Sequence, residues 1–140
     1  MDNPMNFENL IFQDYKNFLT TNSIFSPNVV PSSNKTLSKF PTVLFKEQNN
    51  ASDTTTTDNS QKTYDITDVI EIYTQKQVVG TTTYASKYVM DELKYLTFEF
   101  FEYYGARRIS CEPTEYYNKE VDRLVITYSY NVNNWNRKIN

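Results

Sequence analysis

The sequence predicts an α+β fold in which an antiparallel sheet of about four strands carries helices on one face. One observation is an apolar repeat at the spacing of a helix face, formed by Val89, Leu93, Leu96, Phe100 and Tyr104. The other is an alternation late in the chain that is typical of a half-buried strand, formed by Leu124, Ile126, Tyr128, Tyr130 and Val132. Together they predict a helix packed on an antiparallel hairpin.

A shorter helix is predicted at the start of the chain. Apolar residues between Asn6 and Thr20 recur at helical spacing, and Asn3-Pro4 ahead of them suits a helix start. The stretch from Asn22 to Lys39 is rich in Ser, Asn and Pro, which indicates a long connection ordered by its surroundings. Residues 1–39 are therefore interpreted as an N-terminal helix and an ordered connection.

Two strands joined by a polar segment are predicted next. Phe40–Glu47 has the composition of a strand, with Pro41 confined to its start. Asn49–Lys62 is polar and threonine-rich, which predicts an extended hairpin loop. Tyr64–Thr74 alternates between two faces and is predicted to be the returning strand.

The main helix follows a turn that contains Gly80, and a threonine at position 81, 82 or 83 is expected to cap it. It should stop at Gly105, because a residue without a Cβ adopts the left-handed conformation most easily. The predicted order is α-β-β-α-β-β, with both helices over one sheet face and free edges on the sheet. Residues 40–132 form the predicted core and residues 133–140 a C-terminal tail of one domain spanning residues 1–140.

The composition excludes several function classes. A net charge of −3 provides no basic field for sequence-specific nucleic-acid binding. The chain has no histidine, the usual general base and commonest metal ligand, and its single cysteine fits a reducing compartment. No apolar run approaches the roughly 20 residues of a membrane span, and the N-terminus does not resemble a signal peptide. A soluble protein made in the cytosol is expected.

Few residues are candidates for chemistry. Arg107 and Arg108 point to opposite faces of a predicted strand, so one of them could meet an acidic partner or passing DNA. The alternative is a solvated or salt-bridged pair. Cys111 lacks a histidine base and is interpreted as a packed strand cysteine. Trp135 either anchors the tail or faces a neighbour. Without a catalytic set, phosphate loop or metal-ligand spacing, neither an enzyme nor a cofactor is expected.

Five segments occur in an order that resembles a known family. They are Phe40–Glu47, Asp53–Ser60, Val69–Thr74, Gly105–Pro113 and Asp122–Tyr128. In the family they correspond to a Phe-Pro strand, a Thr- and Asp-rich hairpin, a Glu-Ile-x-Ile-Tyr-Thr strand, a Gly-Phe-Arg-Arg-x-x-x-x-Pro segment and an Arg-containing strand that ends in Tyr. The sequence thus resembles the small tail-terminator (tail-completion, or minor capsid) proteins of long-tailed phages of Gram-positive bacteria and related prophage-derived particles.

The resemblance implies a structural virion protein that forms a ring, usually a hexamer, on the head-proximal end of the tail tube. Such a ring ends tube polymerisation and forms the joint to the neck and head. The implied partners are further copies of the chain, the tail tube protein, a neck connector or stopper protein and, in a contractile tail, the sheath protein. DNA would pass through the ring lumen, and the implied location is the virion tail or neck, assembled in the host cytoplasm.

Subunit and partner contacts are expected at Arg107, Arg108 and Arg123, at the hairpin threonines Thr54, Thr55, Thr56 and Thr57, and at Trp135. Two other interpretations remain open. One is a head-completion or stopper protein, which should show little affinity for purified tail tube. The other is a monomeric cytosolic binding module or small enzyme directed at a ligand.

Overall fold

The computed structural model describes the backbone of residues 4–31, 39–55 and 62–133, and the side chains of residues 11–31, 39–47 and 66–130. The chain folds as a mixed α+β structure with two helices, a five-stranded sheet and a two-stranded sheet. Its elements are α1 (Pro4–Asn22), β1 (Asn28–Pro31), β2 (Thr42–Thr55), β3 (Lys62–Thr74), β4 (Gln77–Val79), β5 (Thr82–Tyr84), α2 (Ser86–Tyr103), β6 (Arg107–Thr114) and β7 (Asp122–Asn133).

The predicted α-β-β-α-β-β order is wrong in strand count. The main sheet has the order β1-β2-β3-β7-β6, and β1 pairs with β2 in parallel while every other pair in it is antiparallel. Strand β1 lies within the segment that we interpreted as a connection. It has only four residues and two apolar side chains, Val29 and Val30, so no alternation marks it. The short β4–β5 pair, which turns at Gly80, was missed for the same reason.

The described part of the predicted hairpin loop at Asn49–Lys62 is strand, so the prediction is wrong there. The β2–β3 ladder runs from the Thr42–Tyr73 pair to the Thr55–Lys62 pair, with an irregularity between Asn50 and Thr54. An antiparallel ladder is made by backbone groups and can continue through polar residues that lack an apolar alternation. Residues 56–61 lie outside the described residues, and the prediction for them stays a prediction.

The N-terminus of helix α2 differs from the prediction, and its C-terminus agrees with it. Ala85 occupies the N-cap without a side-chain hydrogen bond, so the expected threonine cap is wrong; Thr82 and Thr83 belong to β5 instead. At the other end Gly105 has a φ of 80°, as predicted. The N–H of Ala106 then reaches back 3.0 Å to the carbonyl of Phe101, which satisfies a terminal helix carbonyl.

One face of the sheet carries the main core together with both helices. Buried residues of α1 and α2 share a single cluster with alternate residues of β3, including Ile66, Ile70 and Ile72. Phe45 of β2 contacts two rings of α1. Phe101 of α2 stacks on Tyr128 of β7, with ring centroids 4.5 Å apart. Helix α1 therefore lies toward β2, and α2 lies toward β7.

The opposite face carries a smaller cluster at one end. Leu44, Tyr73 and Val121 are its buried members, and Tyr116 packs against them from the β6–β7 turn. Arg123 lies beside Tyr73 in the β3–β7 register, on this same face. In the part of the chain that the structure describes, no helix is long and apolar enough to cross a membrane.

Candidate interaction surfaces

Strand β6 presents a cationic and apolar segment at one edge of the main sheet. Arg107, Arg108 and Ile109 are all exposed, with 52% of Ile109 accessible to solvent. The β6–β7 register shifts between Arg108 and Ser110, so Ile109 has no directly opposed residue on β7. Because β6 is an edge strand, its outer side has no strand partner among the described residues.

The two arginines of β6 do different things. Arg108 lies opposite Tyr128 and places its guanidinium 3.8 Å from the ring centre of Phe98 on α2, in cation–π geometry. Arg107 is opposite Ser129 and makes no ion pair with any described residue. Within the described part of the chain, Arg107 is therefore exposed without an ion pair, and Arg108 has an aromatic partner.

Arg123 is engaged within its own subunit. One guanidinium nitrogen lies 3.0 Å from the Glu71 carboxylate, which also accepts a 2.6 Å hydrogen bond from the hydroxyl of Tyr73. Burial disfavours the charged guanidinium, but the hydrogen bond to Glu71 and the nearby phenol of Tyr73 outweigh it and raise the pKa of Arg123. The Arg123 side chain thus links β7 to β3 across the less covered face of the sheet.

The remaining predicted contact residues lie at the edge of the described residue ranges or outside them. Thr54 and Thr55 end strand β2, where the backbone is described and the side chains are not. Thr56, Thr57 and Trp135 lie outside the described residues. Their expected contacts stay predictions.

A groove of about 510 Å³ lies between the C-terminal half of α1 and that of α2. Its chemistry comes from two carboxylates and four aromatic rings: Asp14, Glu99, Phe18, Phe100, Tyr103 and Tyr104. No Lys or Arg is among the described residues that line it. An acidic, aromatic groove of this kind favours a cation on an apolar stem.

Three side-chain hydrogen bonds join α1 and the residue after it to α2 and the residue after it. At one end the hydroxyl of Ser23 donates to Glu92 at 2.6 Å. At the other end Tyr104 donates to Asp14 at 2.7 Å, and burial together with this bond raises the pKa of Tyr104. Between them, the hydroxyl oxygens of Tyr15 and Thr97 lie 2.8 Å apart in the core. The helices are therefore cross-linked at several points along their length, and the Tyr104–Asp14 bond is formed by residues that line the groove.

A second groove of about 690 Å³ lies between α2 and the β6–β7 turn. Both signs of charge line it, including Lys87, Lys119 and Glu115, over apolar residues such as Met90. Lys94 in the same lining lies 3.6 Å from Asp91 on α2. Because both signs of charge line it, this groove favours neither an anionic nor a cationic ligand.

Three exposed tyrosines follow one side of α2, and Tyr103 among them also lines the groove with α1. Tyr88, Tyr95 and Tyr103 are 56%, 61% and 75% exposed and are separated by seven and eight residues, which places them along one side of the helix. Tyrosine combines an apolar ring with a polar end and is enriched at protein–protein interfaces. This side of α2 has the composition of a contact surface.

Catalytic chemistry finds little support among the described residues. Cys111 is half-buried against the core, and burial raises the pKa of its thiol, which opposes formation of the nucleophilic thiolate. No group of three or more His, Cys, Asp or Glu residues in the described ranges could hold a metal ion. Glu99 lines the groove with α1, and Glu92 accepts the hydrogen bond from Ser23, directly after α1.

Comparison with known proteins provides no family for this chain. No protein-family model matches the sequence, and no curated protein is similar enough to be identified as a relative. Sequence patterns indicated the arginines of β6, but the groove between α1 and α2 depends on two helices that lie far apart in the chain.

Proposed function

We propose that this protein is a tail terminator: a structural virion protein that caps the head-proximal end of a phage tail tube as a ring. The observation that carries the proposal is the placement of the family-like segments. Phe40–Glu47, Val69–Thr74, Gly105–Pro113 and Asp122–Tyr128 contribute to β2, β3, β6 and β7. These four strands are consecutive neighbours in the sheet, in the order β2-β3-β7-β6. Segments separated in sequence thus belong to one continuous structural unit.

The shape of the sheet supports a role in assembly. Its edge strands are β1 and β6, and an open edge can pair with or pack against another chain. The β2–β3 ladder continues to Thr55 and Lys62, past Ile66, the last described core residue at that end of β3. We propose that this backbone ladder, extended beyond the core, contacts a neighbouring subunit or the tube.

The proposed mechanism is physical. Two different surfaces of one subunit meet matching surfaces on its neighbours, and such heterologous contacts close into a ring when the rotation allows it. We expect the ring to be a hexamer. One ring face binds the last ring of tail tube protein and blocks further tube addition, while the other face receives the neck connector or stopper protein. DNA passes through the lumen without sequence-specific contacts.

In this proposal the protein acts without catalysis or cofactor and is assembled into the tail or neck in the host cytoplasm. In a contractile tail, the sheath protein would be a further contact. Exposed tyrosines on α2 and the cationic edge of β6 provide polar and aromatic contact groups of the kind found at such interfaces.

Electron microscopy of tails made with the gene intact and deleted tests the function. Deletion should produce overlong tubes without heads, and expression of the wild-type chain should restore normal length and a cap at the head-proximal tip. Tubes of normal length that fail only to join heads would indicate a stopper or connector. Tails unaffected by deletion would overturn a structural role in the tail.

A further inference from the structure

We propose that the groove between α1 and α2 of one copy receives the Arg107–Ile109 segment of β6 from a second copy. The inference rests on the proposed ring, which requires contacts between unlike surfaces of identical subunits, and it names the two surfaces that meet.

The receiving groove has the chemistry of a site for a guanidinium. Asp14 and Glu99 supply negative charge, and no described lysine or arginine lines the groove to neutralise it. Phe18, Tyr103 and Tyr104 supply ring surfaces. A guanidinium pairs with carboxylates and also stacks on aromatic rings, so both components of the groove favour arginine over other cations.

The β6 segment has the complementary chemistry. Arg107 is exposed and has no ion-pair partner in the described part of its own chain. Ile109 is 52% exposed at the register shift, so the segment offers an apolar side chain close to its two cations. Arg108 is held over Phe98, which leaves Arg107 as the freer group for an intermolecular contact.

Arg107 and the groove lie on opposite faces of the sheet. Arg108 contacts Phe98 on the helix face, and Arg107, its neighbour on the strand, points to the other face. The groove lies between α2 and α1, and α1 packs toward β2. Strand β6 lies beyond β7 at the other edge of the sheet. A copy therefore cannot place its own segment in its own groove by a local side-chain movement, but it can offer the groove to one neighbour and the segment to another. That is the heterologous arrangement that closes a ring.

Sedimentation velocity of the full chain over a wide concentration range tests the contact through a charge swap. Arg107→Glu and Glu99→Arg should each lower the self-association constant at least about tenfold, because close charge pairs across interfaces couple strongly. The double variant should return it to within about threefold of wild type by restoring an opposite-charge pair.

Matched controls make the same charge changes elsewhere. Lys76→Glu and Glu120→Arg alter exposed residues outside both surfaces and should leave self-association unchanged. Circular dichroism melting of every variant separates loss of contact from loss of fold. All four single substitutions are at exposed positions, so the fold should persist.

Three results would overturn the inference: a wild-type chain that stays monomeric up to millimolar concentration, single reversals that associate normally, or single reversals whose combination restores nothing. The tail assay separates this contact from the proposed function. If charge-reversed variants still cap tails at normal length, the contact is wrong and the terminator role stands. If self-association follows the swap but deletion leaves tails unaffected, the contact stands and the terminator role is wrong.

Discussion

The hydroxyl of Tyr104, directly after α2, donates a 2.7 Å hydrogen bond to the carboxylate of Asp14 on α1. The two residues are 90 positions apart in the chain, and both line the groove between the helices. This bond therefore fixes the distance between the groove walls at the end where the aromatic rings gather. The same bond therefore contributes to the stability of the helix pair and to the shape of the proposed docking site.

We expect Tyr104→Phe to lower the free energy of unfolding by about 0.5–1.5 kcal/mol, because a partly exposed hydrogen bond is lost while the ring is kept. Tyr103→Phe is the matched control, since Tyr103 is 75% exposed and makes no side-chain hydrogen bond to a described residue. Urea denaturation of the two variants measures the difference. Equal stabilities would show that the Tyr104 bond contributes nothing.

A buried polar pair in the core should show strong coupling. Tyr15 and Thr97 are fully buried, and their hydroxyl oxygens lie 2.8 Å apart. Since Thr97 donates its only hydroxyl hydrogen to the carbonyl of Leu93 at 2.8 Å, Tyr15 must be the donor to Thr97. Burial raises the pKa of Tyr15 far above its ordinary value, so this hydroxyl stays protonated.

We predict that Thr97→Val destabilises the protein by about 1–3 kcal/mol, because it leaves the buried hydroxyl of Tyr15 without an acceptor. Tyr15→Phe combined with Thr97→Val should cost less than the sum of the two single substitutions, since neither polar partner then remains. Chemical denaturation of the four proteins completes the cycle. Additive losses would contradict a hydrogen bond between the two side chains.

Sequence patterns predicted the long elements because those elements bury alternate or helical sets of apolar residues. The repeat from Val89 to Tyr104 identified α2, and the alternation from Leu124 identified β7, whose even-numbered residues face the core. Gly105 identified the end of α2 because a positive φ is a local property of one residue. Apolar periodicity and a turn glycine were therefore sufficient to predict these elements from the sequence.

Elements and contacts that depend on a partner far away in the sequence could not be predicted from it. Strand β1 exists because Val29 and Val30 align with Val43 and Leu44 of β2, and four residues carry no period of their own. The groove needs α1 and α2 side by side, and the Arg123–Glu71 pair needs β3 beside β7. The sequence predicted Arg123 as a contact residue without indicating its carboxylate partner, which lies 52 positions away.

Alkaline pH should weaken the fold through buried phenols. Burial, reinforced by the hydrogen bond to Glu71, raises the pKa of Tyr73 from 10.0 to about 12. Between these values the unfolded chain has released the phenolic proton and the folded chain has kept it, so unfolding becomes more favourable as pH rises. The stability that Tyr73 contributes is therefore complete below about pH 10 and is lost toward pH 12.

Urea denaturation at several pH values between 8 and 11 measures this effect in the wild type and in Tyr73→Phe. The free energy of unfolding should fall with pH in both proteins, because burial also raises the pKa of Tyr128 to about 12. The fall should be less steep in Tyr73→Phe, which lacks one of the titrating groups. Parallel curves for the two proteins would contradict a raised pKa of Tyr73.

The Arg123–Glu71 pair should affect stability more than assembly, in contrast to Arg107. The Arg123 and Glu71 side chains are only 26% and 22% exposed, so removing one partner leaves the other charge half-buried. We expect Arg123→Met to cost about 1–3 kcal/mol, a range reduced from fully buried pairs because solvent still reaches both groups. The double variant with Glu71→Gln should recover part of that loss.

Arg107→Met, at an exposed site without an ion pair, should change the free energy of unfolding by less than about 0.5 kcal/mol while weakening self-association. Denaturation and sedimentation of the same samples would separate the two arginines, and a stable Arg123→Met that fails to associate would assign Arg123 to the interface instead.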